Sequence, residues 1–256
     1  MILAVDIGNT TVRFCSVSRQ GAEFQVENSI RYPTDGFAFP YFADAGLSPD
    51  LFEGAVISSV VPSRTALLTD LLSDAMGKPP LVVTSETDFH MPCAVKYPDR
   101  LGTDRLVDAC YAKMVYPLPL ITVDAGTAVT LNAVDRDGRF LGGAIAPGLE
   151  LAMGSLHEHT AQLSSEVLSA PEHVIGTDTR ECMLSGVVAG TAGLVEGLVR
   201  RMSEEMGEGT SVVLTGGGSR YFMPFLTIPY HYEPDLQMKG LAMLYLWNGT
   251  SEGQRE

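Results

Sequence analysis

The chain is short of cysteine and of positive charge, and it has no uninterrupted apolar run; each shortage removes a class of protein. Its four cysteines, Cys15, Cys93, Cys110 and Cys182, are scattered without a C-x-x-C pair. Such spacing fits reduced thiols better than a disulfide frame or a zinc site. Lys and Arg number 17 against 31 Asp and Glu, a formal charge of −14, which argues against nucleic acid or an anionic membrane as main partner. An anionic nucleotide stays open, because phosphate is held by local backbone amides and a metal rather than by net charge. No basic segment precedes the first apolar run, so no signal peptide is evident and a cytoplasmic location is expected. The longest apolar stretch, Met183 to Val199, is broken by Ser185, Thr191, Glu196 and four glycines. It makes a poor membrane span and reads as a buried helix. At 256 residues the chain can hold one large domain or two of about 100–150 residues, and no low-complexity linker divides it.

What is present is a pattern that occurs twice. The run Ile2-Leu3-Ala4-Val5-Asp6-Ile7-Gly8-Asn9-Thr10 returns as Leu120-Ile121-Thr122-Val123-Asp124-Ala125-Gly126-Thr127, with Asp and Gly both displaced by 118 positions (124 − 6 and 126 − 8). Each copy reads as a buried strand ending in a carboxylate, a glycine turn, and a β-rich strand carrying hydroxyls. Glycine lets the backbone curl so that N–H groups point at phosphate oxygens. Asn9, Thr10 and Thr11 add neutral donors and Arg13 a charge. Asp6, acceptor-only, suits Mg²⁺ held through water. An ordinary hairpin turn explains one such copy equally well; the duplication favours two turns gripping opposite sides of a nucleoside triphosphate.

The rest of the pattern is α/β. Strands are expected at 2–6, 10–17, 24–31, 54–61 and 80–84, then at 120–124, 128–135, 139–146 and 211–215, with Asp137-Gly138 as a hairpin turn. Helices are expected from Pro62 to Met76, capped by Ser63 and ended by Gly77, and at 103–116, 148–160, 179–206 and 237–248. Strands first and crossover helices after, in both halves, give a mixed sheet in each lobe. The tail from Gly249 is polar and expected to fray.

Further clusters have two readings each. In Leu101-Gly102-Thr103-Asp104-Arg105, Asp104 either sits at a helix N-terminus for the dipole alone, with Arg105 solvated, or acts as base toward a substrate hydroxyl while Arg105 clamps a carboxylate. Gly142-Gly143 to Gly148 marks either close approach to a ligand or a strained corner, and it fits neither a Walker loop nor a Rossmann fingerprint. Thr215-Gly216-Gly217-Gly218 ends a strand before a helix, a joint that suits a nucleotide. Gly186, Gly190, Gly193 and Gly197 line one helix face, for tight packing within the subunit or for a helix crossing in a dimer. His157 and His159 diverge and read as surface residues.

In order along the chain, these segments resemble the type III pantothenate kinases of the acetate kinase/sugar kinase/Hsp70/actin superfamily. The resemblance runs through Asp6–Thr10, Ser58-Ser-Val-Val-Pro62, Leu101–Arg105, Asp124–Ala128, Gly142–Gly148, Gly176-Thr-Asp-Thr179, Thr215–Gly218 and Pro234-Asp-Leu-Gln-Met-Lys-Gly-Leu241. It implies two duplicated ribonuclease H-like (actin-like ATPase) lobes, 1–115 and 116–256, with the active-site cleft between them. It implies ATP-dependent phosphorylation of pantothenate, the first step toward coenzyme A. Carried onto matching positions, Asp6, Ile7, Gly8, Asn9, Thr10, Thr11, Val12 and Arg13 form the ATP phosphate loop and Thr127 contacts the nucleotide. Asp124 belongs to a monovalent-cation site for K⁺ or NH₄⁺. Gly102, Thr103, Asp104 and Arg105 line the pantothenate pocket with Asp104 as proton acceptor, and Thr179 is a further contact. Members are homodimers with the pocket near the interface.

Two positions depart from the family. Its frequent Tyr three residues before the Pro preceding Leu-Gly-x-Asp-Arg is Val95 here, while Tyr97 directly precedes Pro98. Ser164-Ser165 replaces a Leu-Pro-like ending. Two rival readings remain at this stage, a superfamily kinase for another small hydroxy acid or amide, and a non-catalytic nucleotide-binding regulator. The retained Asp6, Asp104, Arg105 and Asp124 speak against the second.

Overall fold

The apolar runs bounded by turn residues become strands. β1 (Ile2–Ile7) and β2 (Thr11–Gln20) form an antiparallel hairpin, β3 (Glu23–Pro33) extends it, and β4 (Gly54–Ser59) lies parallel to β1 on its other side. β5 (Leu81–Val82) completes a sheet of order β3-β2-β1-β4-β5. The second sheet takes β6 (Leu120–Ala125), β7 (Ala128–Val134), β8 (Phe140–Pro147), β9 (Ser211–Thr215) and β10 (His231–Tyr232) in the order β10-β9-β6-β7-β8. Read from the central hairpin outward, the two orders coincide, with β6 standing for β1 and β9 for β4. The computed structural model describes residues 1–21, 23–35, 48–158, 168–207 and 209–249. His159, Ser164-Ser165, the expected end of the helix at 148–160 and the tail from residue 250 lie outside them.

Two compact units result: Met1–Met91 with Lys96–Tyr111 and Asp235–Glu256, and Pro92–Val95 with Ala112–Pro234. In the first unit, parallel β4 and β5 need a crossover, supplied by α1 (Pro62–Met76). Leu68 and Leu72 bury that helix on the sheet, each side chain contributing about 1.5–3 kcal/mol. Gly77 ends it in the left-handed conformation at φ 69°. The expected Ser63 cap is not used: Pro62 opens the first turn, where a missing N–H costs nothing, and the Ser59 hydroxyl accepts the Val61 N–H at 3.0 Å. α2 (Thr103–Val115) follows the turn at Pro98–Arg100.

The second unit holds α3 (Leu149–Glu158), α4 (Thr179–Leu184), a π turn at Ser185–Ala189, α5 (Gly190–Met206) and the single turn α6 (Ser219–Phe222). Met183, Leu184, Val187, Val188, Ala192, Val195 and Val199 pack into its core with β6, β7 and β9. By length and composition alone Thr179–Met206 could span a membrane, at mean hydropathy 1.6; its apolar side is spent on this core instead. The glycines do not pack tightly inside the subunit. Gly186, Gly190 and Gly193 are exposed, and a Cβ at Gly186 or Gly193 would meet nothing within 4 Å, because the branched residues of the same helix face inward.

The compact units depart from the linear halves 1–115 and 116–256 at the last helix. α7 (Leu236–Asn248) packs on β1, β3 and β4 in the first unit. Leu236, Met238, Leu241, Ala242 and Leu244 are all fully buried there. Gly240 permits the approach, since a Cβ at that position would lie 2.9 Å from the Val107 carbonyl oxygen of α2. All four cysteines are free thiols, Cys15 and Cys110 buried, Cys93 and Cys182 exposed. Burial pushes the Cys15 thiol pKa up against the pull of Arg13.

Candidate active site

The two Asp-x-Gly turns occupy the same place in their sheets. In β1 every residue is buried except partly open Asp6, and in β6 every residue is buried except partly open Asp124. Each carboxylate has a hydroxyl residue in parallel register, Ser58 on β4 for Asp6 and Thr215 on β9 for Asp124. Their antiparallel partners differ: Arg13 faces Asp6, whereas Thr130 faces Asp124.

The first turn is closed by side chains and two backbone bonds. The Gly8 N–H donates to the Thr11 carbonyl at 3.0 Å, and the Thr34 N–H and hydroxyl donate to the Thr10 and Gly8 carbonyls at 2.9 and 2.7 Å. Buried Thr34 thus fixes the turn from β3's end. Ile7 and Val12 are core residues paired across the hairpin, so only their backbone is available to a ligand, while Asn9 and Thr10 are exposed. Gln237 donates from Nε2 to Asp6 Oδ1 at 3.1 Å. Arg13 donates from Nε to Ser29 Oγ at 3.0 Å and from Nη2 to Asp235 Oδ1 at 2.5 Å.

The second turn is closed by glycines. The Gly126 N–H donates to the Ala128 carbonyl at 2.9 Å, the Gly148 N–H to Thr127 O at 3.0 Å and the Gly218 N–H to Ala125 O at 2.8 Å. At Gly148 a Cβ would collide with the Gly126 and Thr127 carbonyl oxygens, and at Gly216 (φ +85°) with Asp124 Oδ1 and the Ala125 backbone. The chain's own backbone, packed against the turn, therefore accounts for the glycines at 148, 216 and 218. Gly126 and Thr127 are exposed at the turn's tip.

Asp104 sits in the first turn of α2. Its Oδ1 is buried with no hydrogen-bond partner among the described residues. A Cβ on Gly102 would collide with that oxygen, so the glycine is what makes room for it. Tyr97 is half exposed between two cations, with Lys96 Nζ 5.2 Å and Arg100 Cζ 5.0 Å from its ring centre, a cation–π arrangement. Val95 lies instead in the second unit, beside Gly142.

Thr179 opens α4 under a capping box. The Glu181 N–H donates to Asp178 Oδ1 at 2.8 Å, and Glu181 Oε2 accepts both the N–H and the hydroxyl of Thr177 at 2.7 Å. Those bonds from Thr177 hold the Glu181 carboxyl below the usual carboxylate range. Thr179 itself is exposed. The structure thus gathers Asp6–Arg13 and Gly102–Arg105 in the first unit, and Asp124, Thr127 and Thr179 in the second. Sequence reasoning assigned no role to Thr34, Asp235 or Gln237. The last two lie in a segment singled out only by resemblance, and Thr34 carried no signal.

The donors fit the ions the family implies. Asp6 with Ser58, and Asp124 with Thr215, are all-oxygen sets suited to hard cations. Among the described residues no three His, Cys, Asp or Glu side chains gather to hold a metal.

Comparison with known proteins gives the fold class and the family. Similar folds include a structure named for a Baf family transcriptional activator of Campylobacter jejuni, 18% identical, TM-score 0.63, covering 97% of this chain and 99% of that one. A structure named for a 2-dehydro-3-deoxygalactonokinase of Sinorhizobium meliloti is 13% identical, TM-score 0.57, covering 97% and 100%. At these identities the likeness shows the fold alone, a duplicated ATPase-like α/β architecture. Closer in sequence are type III pantothenate kinases of Phenylobacterium zucineum, 36% identical over 96% of this chain and 97% of the relative, and of Thermomicrobium roseum, 35% identical over 96% of each. A profile described as type III pantothenate kinase matches residues 2–201. The repeated Asp turns, the buried Asp104 oxygen and this coverage lead to one conclusion: the chain belongs to the type III pantothenate kinase family.

Proposed function

We propose that the chain phosphorylates pantothenate with ATP, producing 4'-phosphopantothenate for coenzyme A biosynthesis, and that Asp104 is the proton acceptor. The observation that carries the base role is the buried Asp104 Oδ1, which has no donor among the described residues. A buried acceptor left unmatched costs about 1–3 kcal/mol, and a substrate hydroxyl would supply the missing donor. Arg105 beside it binds the pantothenate carboxylate, with Gly102, Thr103 and Thr179 completing the contacts.

In phosphoryl transfer the protein contributes position and charge rather than covalent chemistry. The substrate hydroxyl oxygen bonds to the γ-phosphorus as its proton passes to Asp104, and the bond to the departing ADP oxygen breaks. Asp6–Arg13 act as the ATP phosphate loop, and Thr127 is a nucleotide contact. Mg²⁺ at Asp6 and K⁺ or NH₄⁺ at Asp124 would supply neutralisation of phosphate charge.

The enzyme works in the cytosol as a homodimer. The bare glycine face of Gly186, Gly190 and Gly193 supports that assembly, since it admits close approach of a second backbone. Light scattering on the purified chain is expected to give twice the 27.5 kDa chain mass; a mass of one chain overturns the dimer. ADP release coupled to a pyruvate kinase–lactate dehydrogenase assay tests the reaction. It is expected to depend on pantothenate and to rise with K⁺ or NH₄⁺. Absence of pantothenate-dependent ADP in both salts removes the substrate assignment.

A further inference from the structure

α7 carries two polar side chains on its leading edge that its own packing does not explain. Leu236, between them, is fully buried in the first unit. Asp235 stands at the helix N-cap, where Asp ordinarily accepts an N–H of its own first turn, a bond worth about 1 kcal/mol. Here the Asp235 side chain makes no capping bond. It accepts from Arg13 Nη2 instead, at a separation of 222 residues. Two positions on, Gln237 donates to Asp6 Oδ1 across 231 residues. The helix thus takes hold of the two charged side chains that face each other across the first turn, Asp6 and Arg13.

The two bonds have complementary effects. Gln237 is neutral and a donor, so it fixes the orientation of the Asp6 carboxylate without altering its charge. Asp235 binds one guanidinium edge while Ser29 takes Nε, so the Arg13 guanidinium is held from two sides. We propose that Gln237 and Asp235 are positioning residues for phosphoryl transfer: they hold the Asp6 carboxylate and the Arg13 guanidinium each in a fixed orientation, so that the first turn meets the nucleotide preorganised. This rests on the reading of Asp6–Arg13 as the phosphate loop.

The test measures ATP affinity by calorimetry in Mg²⁺, without pantothenate, and then kcat and KM, for Gln237→Leu, Gln237→Glu and Asp235→Asn. Gln237→Glu sets a second carboxylate on Asp6 and is expected to weaken ATP binding at least about tenfold and kcat about 100-fold. Gln237→Leu, which removes one donor, is expected to lower kcat about tenfold with KM for pantothenate unchanged. Asp235→Asn keeps an acceptor and is expected to fall between wild type and Gln237→Leu, and Tm should stay within about 2 °C in all three. Wild-type kcat and ATP affinity in both Gln237 variants overturn the proposal, as does a loss of Tm with kcat intact. If wild type binds ATP but phosphorylates no pantothenate, only the substrate assignment fails, and the variants' ATP affinities still decide the clamp. If it binds no ATP, both fall.

Discussion

The two lobes start from one plan and brace their turns by opposite means. β1 and β6 carry the same partly open aspartate near the end of the same buried strand, in sheets of the same order. The first turn is held mainly by side chains, with the Thr34 hydroxyl on the Gly8 carbonyl, Gln237 on Asp6 and Asp235 on Arg13. The second is held by backbone, with Gly148, Gly216 and Gly218 lying against the turn where no side chain fits. A duplicated loop can thus be preorganised either by polar side chains or by the absence of side chains. The two solutions should fail under different mutations.

The largest effect falls outside both turns. Asp104→Asn is expected to lower kcat by about 10²–10⁴ while ATP affinity measured by calorimetry stays close to wild type; unchanged turnover would remove the base role. The comparison itself is broken or sharpened by one substitution made twice. Gly216→Ala forces a Cβ into Asp124 and the Ala125 backbone at a left-handed φ, a strain of at least about 1–3 kcal/mol. It is expected to weaken ATP binding more than tenfold on that scale. Gly8→Ala meets only the Thr11 carbonyl oxygen at 3.3 Å and is expected to bind ATP within a few-fold of wild type. Equal losses in the two variants would end the distinction between the braces.

Smaller effects probe single bonds. Thr34→Val removes the hydroxyl from the Gly8 carbonyl, an expected loss of about 1 kcal/mol in denaturant unfolding. Smaller still is Glu181→Gln at the α4 cap. The folded-state pKa of Glu181 is depressed, so its stabilisation is present above the ordinary carboxylate pKa and is lost as pH falls through the folded value. Glu181→Gln should lower Tm slightly at neutral pH, and the gap to wild type should close on acidification. A gap that stays constant with pH would show that the carboxylate charge plays no part in the cap.

The repeated turn was legible because each copy is local: a buried run, a carboxylate and a glycine, within ten residues. Most strand and helix positions followed from periodicity for the same reason, but the two-residue β10 and the single turn α6 were not expected. The destination of α7 was not legible, since an apolar helix pattern states that a face is buried and not which sheet covers it. For that reason Gln237 and Asp235, more than 220 residues from their partners, stayed unassigned. Ser63 was chosen as a cap by residue type, whereas Pro62 starts the helix and Ser59 satisfies the turn. The α5 glycines were open between packing and assembly, because spacing identifies a face without saying what lies opposite.

The most direct test follows the product. Incubated with ATP, Mg²⁺, K⁺ and pantothenate, the wild-type chain should yield pantothenate heavier by one phosphoryl group in mass spectrometry, and Asp104→Asn should yield only traces. Unmodified pantothenate from folded, ATP-binding wild-type protein would contradict the account.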